Sequence, residues 1–535
     1  MYVVRYNAAM VRHAGGRRAW LLAPMLLCAA PLIHAQPAKA RAAPPQPSSA
    51  LRAGRMLLDA NDLERARASA QAALAQEPGS PAAHYLLGMV EERRGDLAAA
   101  AVAFANAIRH APGMAEAHDR LGFVLGRQGQ TAAALEEFAK AVALNPALFD
   151  AQYHAGATRW WTNDHVGAVA PLRAAVRLRP RHAEARYYLG ATLEALGDSA
   201  RALVHLREAV RLNPRLAVAQ TRLGIALQAR GDLYGAVRHL EAAVRLDPSA
   251  ADARNSLGLA LSQQGRGDEA AAILAALIQA RPDYVPAQVN LGTTLMQMGN
   301  LADAASVYRA LLARDPSSAE ASYNLGLALK QMDEFEEAEA YLRKAAALDP
   351  ALPEAAFTLG VVLWQTARPD EALLQLREAI TRKPDYASAH FMAGTVLKQR
   401  GDLPGAIACF RDAIRFDPAS AEAYLSLGQA LKQTGLDRAG AQALGEANRL
   451  HQKTAAAQAS TFAVSVGKQK AGLGDHAGAI AKFREAVRLA SDNPQAHYQL
   501  ALELKRRGAS AQAKAHFAEA RRLGVQPPDS GRGTP

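Results

Sequence analysis

Proline recurs every 34 residues through most of this chain. Pro78, Pro112, Pro146, Pro180, Pro214, Pro248, Pro282, Pro316, Pro350, Pro384 and Pro418 hold one phase. Gly88, Gly122, Gly156, Gly190, Gly224, Gly258, Gly292, Gly326, Gly360, Gly394 and Gly428 hold a second phase in step with it. Leu usually precedes that Gly, and a small residue follows twelve positions later, as at Ala100, Ala134, Ala202 and Ala338. Eleven matches in each series are not coincidence. A chain of 535 residues ordinarily divides into several domains. A fixed period removes that constraint, because one unit stacked on its neighbours can extend a single architecture.

Half of the residues are hydrophobic and only 6% are aromatic. Much of the apolar content is Ala, the strongest helix former, so the chain reads as all-α. In the unit starting at Pro81, a first helix ends near Gly95, a residue suited to the left-handed turn after a helix. Asp96 then caps a second helix that stops before Pro112. One such pair cannot bury its apolar face alone, and stacking buries it. The same turn accounts for the triplets at Arg94-Gly95-Asp96, Arg230-Gly231-Asp232 and Arg400-Gly401-Asp402, with a fourth at Arg266-Gly267-Asp268 one residue out of phase. They read as turns rather than as an adhesion signal.

The pattern resembles the tetratricopeptide repeat (TPR) family. Repeat 319–352 carries the family's positions as Leu325-Gly326, Leu329, Ala338, Leu342, Ala345 and Pro350. The family's early Trp is absent throughout, with His84, Arg186 and Gln288 in its place. The resemblance implies an α-solenoid, a right-handed superhelix of about fourteen helix-turn-helix units with a concave inner wall. Repeats one to twelve cover 47–454. Two more occupy 455–524 after a phase slip of five residues, on Gly467, Gly474, Ala479 and Phe483, then Ala501, Gly508, Ala513 and Phe517. The stretch "HQKTAAAQASTF" at the slip lacks the terminal Pro. It predicts a flexible joint near 450–466, or a helix that runs on.

The two ends read differently. Residues 1–35 place four arginines and no acid around an apolar run from Ala19 to Ile33, the layout of a cleavable signal peptide. A Pro/Ala/Ser-rich linker at 36–46 and a tail at 525–535 are expected to be disordered. The mature chain then starts near Gln36 and is periplasmic or secreted. Removing the leader takes the net charge from +12 to about +8 and leaves Cys409 as the remaining cysteine, placed as a small core residue. Basic residues such as Arg177, Arg211 and Arg245 follow the repeat at helix ends, where they complement the helix dipole. No basic block marks a nucleic-acid partner.

Positions are counted from Pro81, Ala115, Phe149 and every 34th residue after them. In the first helix (A), positions 4, 7, 8 and 11 share the core arc, and positions 2, 5, 9, 12 and 13 share another. In TPR proteins the second arc lines the groove, which implies ligand contact there. Position 5 is often aromatic: Tyr85, Tyr153, Tyr187, Tyr323, Phe357 and Phe391. Positions 12 and 13 read Lys330-Gln331, Trp364-Gln365, Lys398-Gln399 and Lys432-Gln433. Such donors beside aromatics suit an extended peptide. The alternatives are aromatics packed between A helices and Lys-Gln pairs that are merely solvated. Asn290 and Asn324, at position 6, resemble the asparagines that hold ligand backbone in the TPR half of O-linked N-acetylglucosamine transferase.

The segment "GATRWWTNDH", 156–165, departs from the pattern. Ala155 and Arg159 replace leucines, Asn163 replaces the turn Gly, and Pro171 falls inside the second helix, where it removes a backbone donor and is expected to kink the helix. Two lost leucines leave volume that a ring can fill. Trp160 reads as that filler, and Trp161 as a ligand contact. The sequence carries no metal, cofactor or nucleophile motif. It therefore reads as a non-catalytic scaffold that binds proteins or extended peptides in an exported bacterial envelope assembly. It is not membrane-embedded, and any membrane association runs through a partner. The alternative is a separate TPR subunit of a polysaccharide-export or glycosyl-transfer apparatus.

Overall fold

The computed structural model describes residues 49–525, so the leader, the linker and all but the first residue of the tail lie outside the described residues. Among the described residues there are 27 helices and no strand, from Ser49–Asp59 to Ser510–Arg522. Helix A and a second helix, B, alternate, as in Ala183–Ala195 and Ser199–Leu212. The chain forms two compact bodies. The N-terminal one runs to Ala287 and the C-terminal one starts at Gln288.

Three backbone requirements explain the period. The turn between A and B needs a left-handed residue at position 15, filled by Gly95, Gly129, Gly197 and their equivalents. Asn163, Asp333 and Ala367 adopt the same conformation at φ 61°, 60° and 59°. The next residue starts helix B. Asp96, Asp164, Asp232 and Asp402 each accept from the N–H three residues on, at 2.9 Å. Finally, the position-8 glycine lets helix B approach. An added Cβ at Gly156 would lie 2.5 Å from Leu172 Cγ, and at Gly88 2.6 Å from the Phe104 ring. The small residues at position 20, such as Ala100, Ala134 and Ala338, are completely buried in the same seam.

The place of the missing Trp, position 4, has a definite job. His84 and His118 turn Nε2 toward the carbonyls of Pro78 and Pro112, at 3.0 and 3.1 Å. Gln152 donates to Pro146 at 3.0 Å, Arg186 to Pro180 at 2.7 Å and Gln220 to Pro214 at 2.8 Å. Each side chain satisfies a carbonyl left over where helix B ends.

Within each body, A helices of successive repeats touch, as Phe149–Trp161 touches Ala183–Ala195, and 353–365 touches 387–399. Among the described residues, the B helices of successive repeats make no comparable contact. The A helices are therefore the crowded, inner wall. Helix B of repeat four runs from His165 to Leu178 through Pro171 without a break. At the phase slip the helix runs on: Asp437–Gly472 is one helix of 36 residues, and the 454/455 boundary lies inside it. Ser460 anchors it, donating to the Ala486 carbonyl at 2.7 Å and accepting from Asn493 at 2.9 Å.

Candidate functional site

The A-helix wall of the C-terminal body carries the Lys-Gln positions. Gln331, Gln365, Gln399, Lys432 and Gln433 are exposed, while Lys330, Trp364 and Lys398 are half-buried. Two side-chain bonds step from one repeat to the next. The Trp364 indole N–H donates to Gln399 Oε1 at 2.6 Å, and Lys398 Nζ donates to Gln429 Oε1 at 2.7 Å. Both leave donors over, since an ammonium has three and an amide NH2 two. No carboxylate stands between position 5 and the end of these four A helices. The aromatics at position 5 sit lower. Tyr323, Phe357 and Phe391 are half-buried, with Phe357 5.1 Å from the Tyr386 ring and Phe391 5.8 Å from the Phe410 ring. Asn290 and Asn324 are half-buried on the same wall.

The N-terminal body differs. Tyr153 and Tyr187, expected as groove contacts, are only 6% and 7% exposed. They pack between A helices, and burial raises the pKa of both hydroxyls, Tyr153 well above the ordinary value. The two tryptophans part company. Trp160 is half-buried against Leu172, Leu189 and Leu193, so it fills space in the seam with repeat five. Arg159 turns away toward Asp164, 3.5 Å off. Trp161 is 54% exposed. It meets Trp160 edge-on at 4.9 Å and donates its N–H to the Tyr188 hydroxyl at 3.2 Å. Burial pushes the Tyr188 pKa to about 12, with the Trp161 hydrogen bond opposing.

The tetratricopeptide repeat profile matches residues 51–115, 162–217, 221–285, 289–353 and 327–387, over half the chain. Related repeat profiles match 115–148 and 394–435. The chain belongs to the tetratricopeptide repeat family. TPR arrays are protein-binding scaffolds, and this chain has that general character. No curated protein sequence matches it. Among solved structures, YrrB, described as a TPR protein with an unusual peptide-binding site, is 27% identical over 35% of this chain and 96% of its own, with a TM-score of 0.32. MamA is 26% identical over 31% of this chain and 96% of its own, TM-score 0.30. Yeast Tom70 is 14% identical over 73% of this chain and 96% of its own, TM-score 0.39.

Sequence reasoning missed position 6 of this TPR wall apart from the two asparagines. Position 6 reaches back to the preceding repeat: His154 to Asp119 at 2.9 Å, Tyr188 to Trp161, Arg120 to Glu92 and Arg222 to Glu194. Residue type gave no signal, because His, Tyr, Arg and Asn all occur there. Cys409 is half-buried, and burial raises its thiol pKa, which suits packing rather than nucleophilic chemistry.

Proposed function

We propose that this TPR chain is a non-catalytic scaffold that holds extended peptide segments of partner proteins along its A-helix walls. The observation that carries the reading is the donor ladder of the C-terminal body. Lys330, Gln331, Gln365, Lys398, Gln399, Lys432 and Gln433 recur at one 34-residue interval on adjacent helices, without a carboxylate among them. An extended peptide has free carbonyls along its length, and regularly spaced amide and ammonium donors meet them as main-chain acceptors. Acidic side chains in the ligand add charge-assisted bonds to the lysines. The half-buried rings of Tyr323, Phe357, Trp364 and Phe391 give apolar floor between the donors.

The proposed setting is the bacterial envelope, on the strength of the leader pattern at 1–35. N-terminal sequencing of the chain from a periplasmic fraction checks this, with a start near Gln36 expected; an intact Met1 in the cytoplasm overturns it. Binding is tested with a displayed library of random 16-residue peptides against the full chain. Enriched peptides should lose affinity tenfold or more when Lys398, Gln399, Lys432 and Gln433 are all changed to Ala. Absence of any enriched peptide removes the reading.

A further inference from the structure

Position 3 of helix A is held to one residue type. It is Ala in repeats two to twelve and in repeat fourteen, from Ala83 to Ala496, and each of these is completely buried. The position lies in the seam with the preceding helix B. Ala185 clusters there with Ala175, Ala389 with Ala379, and Ala496 with Ala486. Position 10, two turns on, shares that face. Val124, for example, packs with Phe104 of the preceding helix B. Repeat thirteen starts at Ser460, which puts Gly467 at position 8. Its position 3 is Phe462, 72% exposed, and its position 10 is Gln469, also exposed.

The cause is the long helix. Asp437–Gly472 is helix B of repeat twelve and helix A of repeat thirteen at once. Elsewhere four residues turn the chain back between these two helices, as between Leu212 and Ala217. Here residues 451–459 continue the helix instead, for about 14 Å. A straight helix cannot fold onto itself. The face that the other repeats cover with an antiparallel helix therefore stays open. A bent joint would not close it as an ordinary seam, because a phenyl ring stands where the other seams hold a methyl group.

The open face is built to take a helix. Ala455, Ala459, Phe462, Val466, Gln469 and Leu473 follow one another at steps of four and three, the spacing of a face that pairs with another helix. Leu473 is 79% exposed, like Phe462 a large apolar side chain left in solvent. The stripe is about 27 Å long. No charged residue occurs from 454 to 467. Beyond those ends Lys453 lies 3.7 Å from Asp492, and Lys470 lies 2.8 Å from Asp475. Lys468 is two residues from Val466 and so lies on the opposite side of the helix. A strongly charged partner helix finds no counter-charge on this face, whereas a neutral one needs none. The stripe is also complementary to itself. An antiparallel copy centred at the level of Val464 sets Ala455 opposite Leu473, Ala459 opposite Gln469 and Phe462 opposite Val466. Each large apolar side chain then meets a smaller one.

We propose that this stripe is covered by the same stripe of a second copy of the chain, the two long helices pairing antiparallel about a two-fold axis. In such an interface one patch serves both partners. Each copy supplies the antiparallel helix that repeat thirteen of the other lacks. The proposal does not depend on peptide binding by the A-helix walls.

Sedimentation of the full chain at micromolar concentration tests it, with twice the mass of one chain expected. Phe462→Glu and Leu473→Glu should each halve that mass. Helix content by circular dichroism should not change, since both side chains are already exposed. Lys468→Glu, on the opposite side, should leave the mass as it is. Cysteines at 459 and 469 together (Ala459→Cys with Gln469→Cys) should give disulfide-linked dimers above the wild-type background. Either change alone should not, because like residues stand about 15 Å apart in this register, beyond the reach of a disulfide. A chain that sediments as a monomer overturns the proposal and leaves the stripe to a different partner. A dimer indifferent to both glutamates overturns it too, since it uses another surface. Covalent dimers from a single-cysteine variant report a parallel pair, and their absence from the double variant reports another register; either overturns the antiparallel pairing.

Discussion

A methyl group placed on Gly326 would sit 2.7 Å from Leu342 Cγ and 3.2 Å from the Ala338 carbonyl oxygen, inside the seam of repeat nine. Two effects oppose one another in Gly326→Ala. Helix propensity favours Ala by about 1 kcal/mol. Overpacking costs about 1–3 kcal/mol, because the clashing atom is a branch carbon rather than a flexible tip. The substitution should destabilise the array by about 1 kcal/mol. In a Leu342→Ala background the clash with Leu342 is gone and only the milder approach to the Ala338 carbonyl remains, so the same change should become stabilising. Denaturant melts of the four-member cycle check that change of sign.

Ala367 holds the left-handed turn of repeat ten at φ 59°, where most repeats use Gly. A Cβ in that region costs about 1–2 kcal/mol. Glycine gives back part of the gain through its freedom in the unfolded chain. Ala367→Gly should therefore stabilise the array by about 0.5–1 kcal/mol, measured by denaturant melts. Gly401→Ala, one repeat on at φ 81°, should do the reverse.

These two positions show what the sequence makes legible. A left-handed turn, a close helix crossing and a helix stop each demand one residue type once per repeat, so Gly and Pro print the period directly. Position 4 is different. His118, Gln152 and Arg186 all supply one donor to a proline carbonyl, so function is kept while identity varies. Whether Tyr153 and Tyr187 line the groove or pack between A helices stays open in the sequence for another reason. Their arc position is right, but how closely adjacent A helices approach is a property of pairs of repeats. The helix Asp437–Gly472 was half legible: Ala-rich sequence without Pro propagates, while the hydrogen bonds of the buried Ser460 to Ala486 and Asn493 depend on tertiary packing.

His239 titrates against its surroundings. Its Nδ1 bonds Gln220 Oε1 at 2.7 Å and its Nε2 faces Arg238 Nη2 at 3.2 Å. Burial, and then the Arg238 charge, lower its pKa to about 4, with Arg207 adding to this and Asp232 opposing. The unfolded value is about 6.5. Between those values the unfolded chain takes up a proton that the folded chain refuses, so stability falls as the pH falls. Above about pH 7 the group contributes no pH dependence. His239→Gln removes the titration. The melting-temperature gap between wild type and variant should be constant above pH 7. It should shift toward the variant as the pH drops from 6.5 to 4. A gap independent of pH would falsify the assignment.

The tryptophan pair separates packing from exposure. Trp160 is half-buried against Leu172, Leu189 and Leu193, so Trp160→Ala should cost about 2 kcal/mol, part of the 3–5 of a fully buried aromatic. Solenoid stability is roughly a sum over neighbours, so the loss should appear as local melting of repeats four and five. Trp161 is 54% exposed and holds one hydrogen bond, to Tyr188. Trp161→Ala should leave stability within about 0.5 kcal/mol. Tyr188→Phe deletes that bond but keeps the ring that packs on Trp160 at 5.5 Å, and should be equally mild. Yet it frees the indole to turn. If Trp161 anchors a peptide because its ring is held in place, Tyr188→Phe should weaken an enriched peptide in the same direction as Trp161→Ala, by a smaller factor. Trp161→Ala itself should cost that peptide about 2 kcal/mol, the loss typical of a hot-spot anchor. Thermal melts combined with peptide titrations of the three variants decide it. A peptide that ignores Trp161→Ala removes Trp161 from the binding wall, and a melt lowered by Trp161→Ala as much as by Trp160→Ala makes the pair structural.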